Sequence, residues 1–294
     1  MPLVVTLIAG PGAETALQDH IAAVRSALSA GDPDWLAPGR ACDLLVPDGA
    51  AATAEAAARQ AIGDAAIDFL VQPAEGRRKR VFVADLESTI IENEMLDELA
   101  DFVGLRAHVA EITRRAMNGE LNFAAALTER VALLKGLPAT VLDEAAGRIR
   151  LMPGARRLLA TLRAAGVRTA LVSGGFTIFA GPIATELGFD RVSANRLDIA
   201  DGRIAGTVAA PILTRETKRE TLLQMAAESG VPLSATLAVG DGANDLPMLD
   251  AAGLGIAFHA KPAVAAASRW RLDHADLTGI LYAQGYRAQE ITQA

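Results

Sequence analysis

VFVADLESTII, residues 81–91, decides how the chain folds. Val81 to Ala84 form an apolar run that reads as a strand buried on both faces. The run stops on Asp85, and Glu87 follows two positions later. Carboxylates at the end of a buried strand are costly to desolvate unless a cation or hydrogen bonds compensate. An exposed acidic turn would carry the same letters, but the apolar run before them favours a functional site.

Two later apolar runs end in the same manner. TALV (169–172) stops on Ser173-Gly174-Gly175, and TLAVG (236–240) stops on Asp241-Gly242-Ala243-Asn244-Asp245. Helical patterns lie between and after them, at 154–166, 176–188, 217–230, 246–253 and 261–268, with another strand in LGIAF (254–258). Strands alternating with helices predict an α/β fold with a doubly wound parallel, Rossmann-like sheet. Ligands in such sheets bind outside the carboxyl ends of the strands, so the three polar ends converge on one edge.

Residues 90–150 carry almost no strand signal, which predicts a helical cap inserted after the first strand. Within it TIIENEMLDELADFVG places Thr89 and Glu92 at capping-box spacing and Ile91, Met95, Leu99 and Phe102 on one face. SANRLDIADGRIAGTVAAP (193–211) predicts a hairpin about Asp201-Gly202.

The first 75 residues read as a small separate α+β domain, with strands at 3–10, 41–47 and 66–73 and helices at 16–30 and 51–64. Residues 76–80 then serve as a linker, its RRKR run (77–80) solvated, and 81–294 form the larger domain. Of 294 residues 51% are apolar and only 4% aromatic, which suits helices packed on a sheet. A net charge of −7 argues against nucleic-acid binding. The single cysteine, Cys42, excludes an intramolecular disulfide. The N-terminus lacks a positive leader region, and no apolar run reaches the ~18 residues of a membrane helix. These features lead to the expectation of a soluble, cytoplasmic protein, for which a homodimer is an admissible assembly. The four histidines have no zinc-site spacing.

Asp85, Glu87, Asp241 and Asp245 would crowd one sheet edge, and mutual repulsion forbids four bare carboxylates there. A hard divalent cation, Mg²⁺ above all, resolves the conflict and keeps room in its shell for a phosphate. The Ser173 hydroxyl and the Gly174 and Gly175 amides suit phosphate oxygens, and Lys218 adds positive charge. Together they describe a phosphoryl-transfer site with a carboxylate nucleophile.

Asp85-Leu86-Glu87-Ser88-Thr89, Ser173-Gly174-Gly175-Phe176, Lys218 and GDGANDLPML resemble the motifs of the haloacid dehalogenase superfamily of phosphatases. TIIENEMLDELADFVG, MNGELNFAAALTERVALLKGLP and AGLGIAFHAKP resemble, more narrowly, its phosphoserine phosphatase branch. The likeness spans about 81–275, and it implies an ACT-like domain before it. It implies Mg²⁺-dependent hydrolysis of O-phospho-L-serine, the last step of serine biosynthesis. Asp85 is then nucleophile and metal ligand, Glu87 general acid/base and carbonyl metal ligand, and Asp241 a further ligand. Asp245 supports the metal from behind, while Lys218, Ser173, Gly174, Gly175 and Asn244 hold the phosphate. Glu94 faces the substrate ammonium, Arg130 its carboxylate, and Met117 and Phe123 wall the pocket. The family's first motif usually reads Asp-x-Asp, and Glu87 departs from it by one methylene, about 1.5 Å. A phosphotransferase acting on a hydroxyl such as that of homoserine, or a catalytically silent amino-acid-binding regulator, are the competing readings.

Overall fold

The computed structural model describes residues 2–47 and 49–293. The chain divides into two compact units, each described here by itself. The first comprises Met1–Arg80, Pro153–Val167 and Arg269–Ala294, and the second Val81–Met152 and Arg168–Ser268.

In the first unit the chain runs β1 (Leu3–Ala9), α1 (Glu14–Leu28), β2 (Asp34–Ala37), β3 (Ala41–Val46), α2 (Ala51–Ile62) and β4 (Ile67–Pro73). The strands form an antiparallel sheet in the order β2-β3-β1-β4. Leu17, Ile21 and Val24 of α1 and Ala54, Ala58 and Ile62 of α2 recur at helical spacing and are buried in one core with Val5, Leu7 and Leu44. The predicted strands and helices are present; β2 is additional. Its four residues lie between Pro33 and Pro38 and sit at the sheet edge, where proline costs no ladder bond.

The RRKR run, expected to be solvated, is partly inserted. Arg77 ion-pairs with Asp43 at 2.5 Å and donates to Thr6 Oγ1 at 2.8 Å, and Lys79 is buried with its ammonium on the Gly76 carbonyl.

The second unit holds β5 (Val81–Ala84), the cap helices α3 (Met95–Asp101), α4 (Arg106–Met117), α5 (Phe123–Ala132) and α6 (Val141–Ala146), and then the rest of the sheet. Between them in sequence, α7 (Ala155–Ala164) belongs to the first unit. There follow β6 (Arg168–Phe176), α8 (Thr177–Leu187), β7 (Arg191–Asn195), β8 (Leu197–Ala200), β9 (Arg203–Val208), α9 (Arg215–Glu228), β10 (Thr236–Gly240), α10 (Leu246–Ala251), β11 (Leu254–Phe258) and α11 (Pro262–Ala267). β12 (Trp270–Leu272) and α12 (Gly279–Ala283) fall in the first unit.

Strands β11, β10, β5, β6 and β7 are neighbours in that order, all parallel, so the doubly wound Rossmann-like sheet is observed. Val81, Val83, Val172 and Ala238 on one face pack with Leu222, Met225 and Met248 from the helices. Phe82 on the other face is fully buried, a contribution of about 1.5–3 kcal/mol. Ala84 lies level with Leu171 and Val239, which aligns the carboxyl ends of β5, β6 and β10.

Two elements differ from expectation. The first cap helix begins at Met95, not at Thr89. Ser88 takes a left-handed turn (φ 54°), and Ile91 pairs with Leu151, so residues 88–91 form a loop before the helix. The 193–211 segment contains the hairpin β8/β9, but residues 191–195 form β7 instead. That hairpin attaches to the cap: the Gly136 and Ala139 amides donate to the Ile204 and Gly202 carbonyls at 2.8 Å. Among the described residues, no helix is long and apolar enough to cross a membrane.

Candidate active site

The parallel edge brings Asp85, Asp241 and Asp245 together, with a carboxylate oxygen of each within 4.8 Å of the others and all three side chains buried. Asp85 follows β5, and its backbone N–H donates to the Val239 carbonyl at 3.1 Å, which holds it against β10. Lys218, one turn into α9, reaches between the acids. Its ammonium lies 2.7 Å from Asp85 Oδ1 and 2.6 Å from Asp245 Oδ1.

Asp245 stands behind the cleft. Its Oδ2 accepts the Asp241 and Gly242 N–H groups at 3.2 and 3.0 Å. A Cβ at Gly240 would collide with the Asp245 carboxyl, so the bare glycine at the end of β10 is what lets this brace form.

The charges do not balance. Burial, reinforced by Asp245, pushes Asp85 well above the usual carboxylate range against the pull of Lys218. Burial, with Glu94 next, pushes Asp241 up to about 7, opposed by Lys261. Burial also works against the Lys218 charge, but Asp245 and Asp85 outweigh it and hold the ammonium above its ordinary range. Among the described residues, none gives Asp241 Oδ2 an aligned hydrogen bond, although the Lys261 ammonium lies 3.2 Å away. A buried all-oxygen donor set short of positive charge suits a hard divalent cation.

The cap closes over these groups. Asp85, Glu87, Glu94, Leu96, Met117, Phe123, Leu127, Arg130, Gly174, Gly175, Asp241 and Asn244 line one cleft. Ser173 and Lys218 line the adjoining recess with Gly174 and Asn244. Every residue expected at the site is therefore in or directly behind it. Phe123, at the start of α5, lies so close to Gly174 that a Cβ there would strike its ring. The Met117 carbonyl at the end of α4 accepts the Ala243 N–H at 2.8 Å, tying cap to strand-end loop. The Ser173 hydroxyl accepts the Gly175 N–H at 2.9 Å.

Glu87 Oε1 accepts the Met95 N–H at 2.9 Å, and burial, with Glu94 next, raises its carboxyl to about 8. Glu94 is held by the Ser88 hydroxyl at 2.7 Å. Arg130 is buried: its Nε donates to the Ala126 carbonyl at 3.1 Å and its Nη1 to Thr113 Oγ1 at 2.8 Å. Thr113 in turn donates to Asp97 Oδ1 at 2.8 Å. Burial lowers the Arg130 pKa, and Glu87, Glu94 and Asp97 oppose it.

Sequence reasoning missed Lys261, Thr113 and Asp97. Lys261 follows β11, so the strand-end logic applied to the other strands would have found it. Thr113 precedes Met117 by one helical turn and shares its face.

The haloacid dehalogenase-like hydrolase family model matches residues 82–250. The chain is 42% identical over 266 residues to phosphoserine phosphatase SerB2 of Mycobacterium tuberculosis, covering 90% of this chain and 65% of that protein. It is 44% identical over 203 residues to phosphoserine phosphatase of Streptococcus thermophilus, covering 69% and 94%. A structure described as a phospho-aspartyl intermediate analogue of phosphoserine phosphatase superposes with a TM-score of 0.67 at 40% identity, covering 70% of this chain and 98% of that one. The chain spans less than two thirds of the Mycobacterium tuberculosis relative and about half, 53%, of one from Streptomyces coelicolor. The matched segment takes in β5, the cap and the Asp245 loop, more than half of the chain, and on that ground the chain belongs to the haloacid dehalogenase-like hydrolase family.

Proposed function

We propose that the chain hydrolyses O-phospho-L-serine to L-serine and phosphate with Mg²⁺, through a phosphoester on Asp85. One observation carries this: a single cleft is lined by Asp85, itself paired to Lys218 of the adjoining recess, and by Glu94 and Arg130, groups of opposite charge in the cap. An ammonium and a carboxylate on the substrate answer Glu94 and Arg130, and its phosphate reaches Asp85. The phosphoserine phosphatase relatives support the same substrate.

Mg²⁺ would be held by Asp85, Asp241 and the Glu87 carbonyl, and would offset charge on the transferring phosphoryl group. An Asp85 oxygen forms the new bond to phosphorus as the bond to the serine oxygen breaks. Lys218, already paired to Asp85, turns that oxygen and offsets the negative charge. Ser173, Gly174, Gly175 and Asn244 hold the phosphate oxygens. Glu87 gives its proton to the departing serine oxygen and then takes one from the water that attacks phosphorus, releasing Asp85. Its raised pKa supports the protonated starting state.

The cleft encloses only about 20 Å³, room for about one water. Admission of substrate therefore requires the cap to withdraw, and its return excludes solvent. The same proposal takes residues 1–75 as an ACT-like accessory domain, supported by the antiparallel sheet with two helices.

The test is phosphate release from O-phospho-L-serine with and without Mg²⁺, followed by borohydride trapping during turnover. Conversion of residue 85 to homoserine in the wild-type chain is expected. Phosphate release with no trapped residue 85 would remove the covalent step, and a chain that releases no phosphate by itself but forms O-phosphohomoserine and serine when homoserine is added would favour a phosphotransferase.

A further inference from the structure

The Glu87 carboxyl rests on the bare Cα of Gly175. A Cβ built at Gly175 would lie 2.9 Å from Oε2, 3.0 Å from Oε1 and 3.1 Å from Cδ of Glu87, inside van der Waals contact. On its other side the carboxyl takes the N–H of Met95, the first residue of α3. Glu87 is thus clamped between β6 and the cap.

The Gly175 backbone does not itself demand glycine. It lies within β6 and is not among the left-handed residues. Its N–H bonds Ser173 Oγ, and alanine would keep that donor. What glycine alone supplies here is space.

We propose that Gly175 is a positioning residue for Glu87, its missing side chain forming the seat for the longer acid, so that the two residues are a matched pair. The inference rests on the proposed role of Glu87 as acid and base. An aspartate at 87 is shorter by about 1.5 Å and leaves that seat empty. Alanine at 175 meets only the end of a side chain and no backbone, so the fold tolerates it and the carboxyl is displaced from the departing oxygen.

The experiment compares wild type, Gly175→Ala, Glu87→Asp and the double variant. Substrates are O-phospho-L-serine in the steady state and p-nitrophenyl phosphate in the pre-steady state, both with Mg²⁺. Gly175→Ala is expected to lose about 100-fold in kcat on phosphoserine with KM little changed. Its stoichiometric burst of p-nitrophenolate persists, because that group leaves without a proton, while the turnover after the burst slows. Adding Glu87→Asp to Gly175→Ala restores at least about tenfold. Unaltered kcat in Gly175→Ala, or a double variant no faster than it, overturns the proposal. If Gly175→Ala does not fold by circular dichroism, a folded double variant upholds the pair and an unfolded one overturns it. A wild-type chain inert to phosphoserine yet active on the aryl ester removes the substrate reading, and the pair is then judged on the aryl ester.

Discussion

The Lys218 ammonium stands 2.6 Å from Asp245 Oδ1 with both side chains out of solvent, at 3% and 0% exposure. The same ammonium is 2.7 Å from Asp85, so one cation serves two buried carboxylates before Asp241 is counted.

Removing that ammonium leaves the acids facing each other in a dry interior. Lys218→Ala is expected to lower the unfolding free energy by about 3–5 kcal/mol in metal-free buffer. Urea unfolding followed by circular dichroism measures this, and a loss below about 1 kcal/mol would mean the ammonium is not what compensates the acids.

The charge deficit also predicts binding of Mg²⁺ without any substrate. Magnesium should raise the thermal midpoint of the wild-type chain, by the equivalent of about 2.7 kcal/mol at a hundredfold excess over Kd. Asp241→Asn should abolish the shift, and an equal shift in that variant would place the ion elsewhere. Chelation should stop turnover.

Arg130 is aimed by a relay, Asp97 to Thr113 to Arg130, with both links at 2.8 Å. Thr113→Val keeps the shape but removes the acceptor for Nη1. It should lower kcat/KM for phosphoserine about 10–100-fold and change turnover of phosphoethanolamine, which lacks the carboxylate, far less. Equal losses on both esters would count against Arg130 as the carboxylate clamp.

Burial, with Asp43 and Asp34 adding, pushes the Cys42 thiol from 9.0 up to about 12. Between those values the folded chain holds a proton that the unfolded chain has lost, so stability falls as pH rises above about 9. Cys42→Val should make that alkaline decline shallower by up to about 1.4 kcal/mol per pH unit. At pH 8 the native thiol should resist Ellman's reagent until urea exposes it, and fast native labelling would contradict the burial.

Much of the fold was legible because its signals are local. The apolar runs at 81–84, 169–172 and 236–240 mark buried strands whatever surrounds them, and parallel pairing carries their polar ends to one edge. β2 was illegible because four residues between prolines look like a turn until an edge accepts them. The capping-box spacing at Thr89 misled because Ile91 is taken by Leu151, a partner far along the chain.

Residue order by itself determined the alternation of strand and helix, the inserted cap and the gathering of Asp85 and Asp241, since periodicity and strand direction suffice for these, whereas Lys218 stood out from Arg215 and Arg219 only by its register with the family motif. Only tertiary packing decided that Glu87 rests on Gly175, that Thr113 pins Arg130, and that Lys261 reaches Asp241. Those meetings depend on distances of an ångström between side chains from separate elements, and such distances are set by how the elements pack rather than by any pattern within one of them.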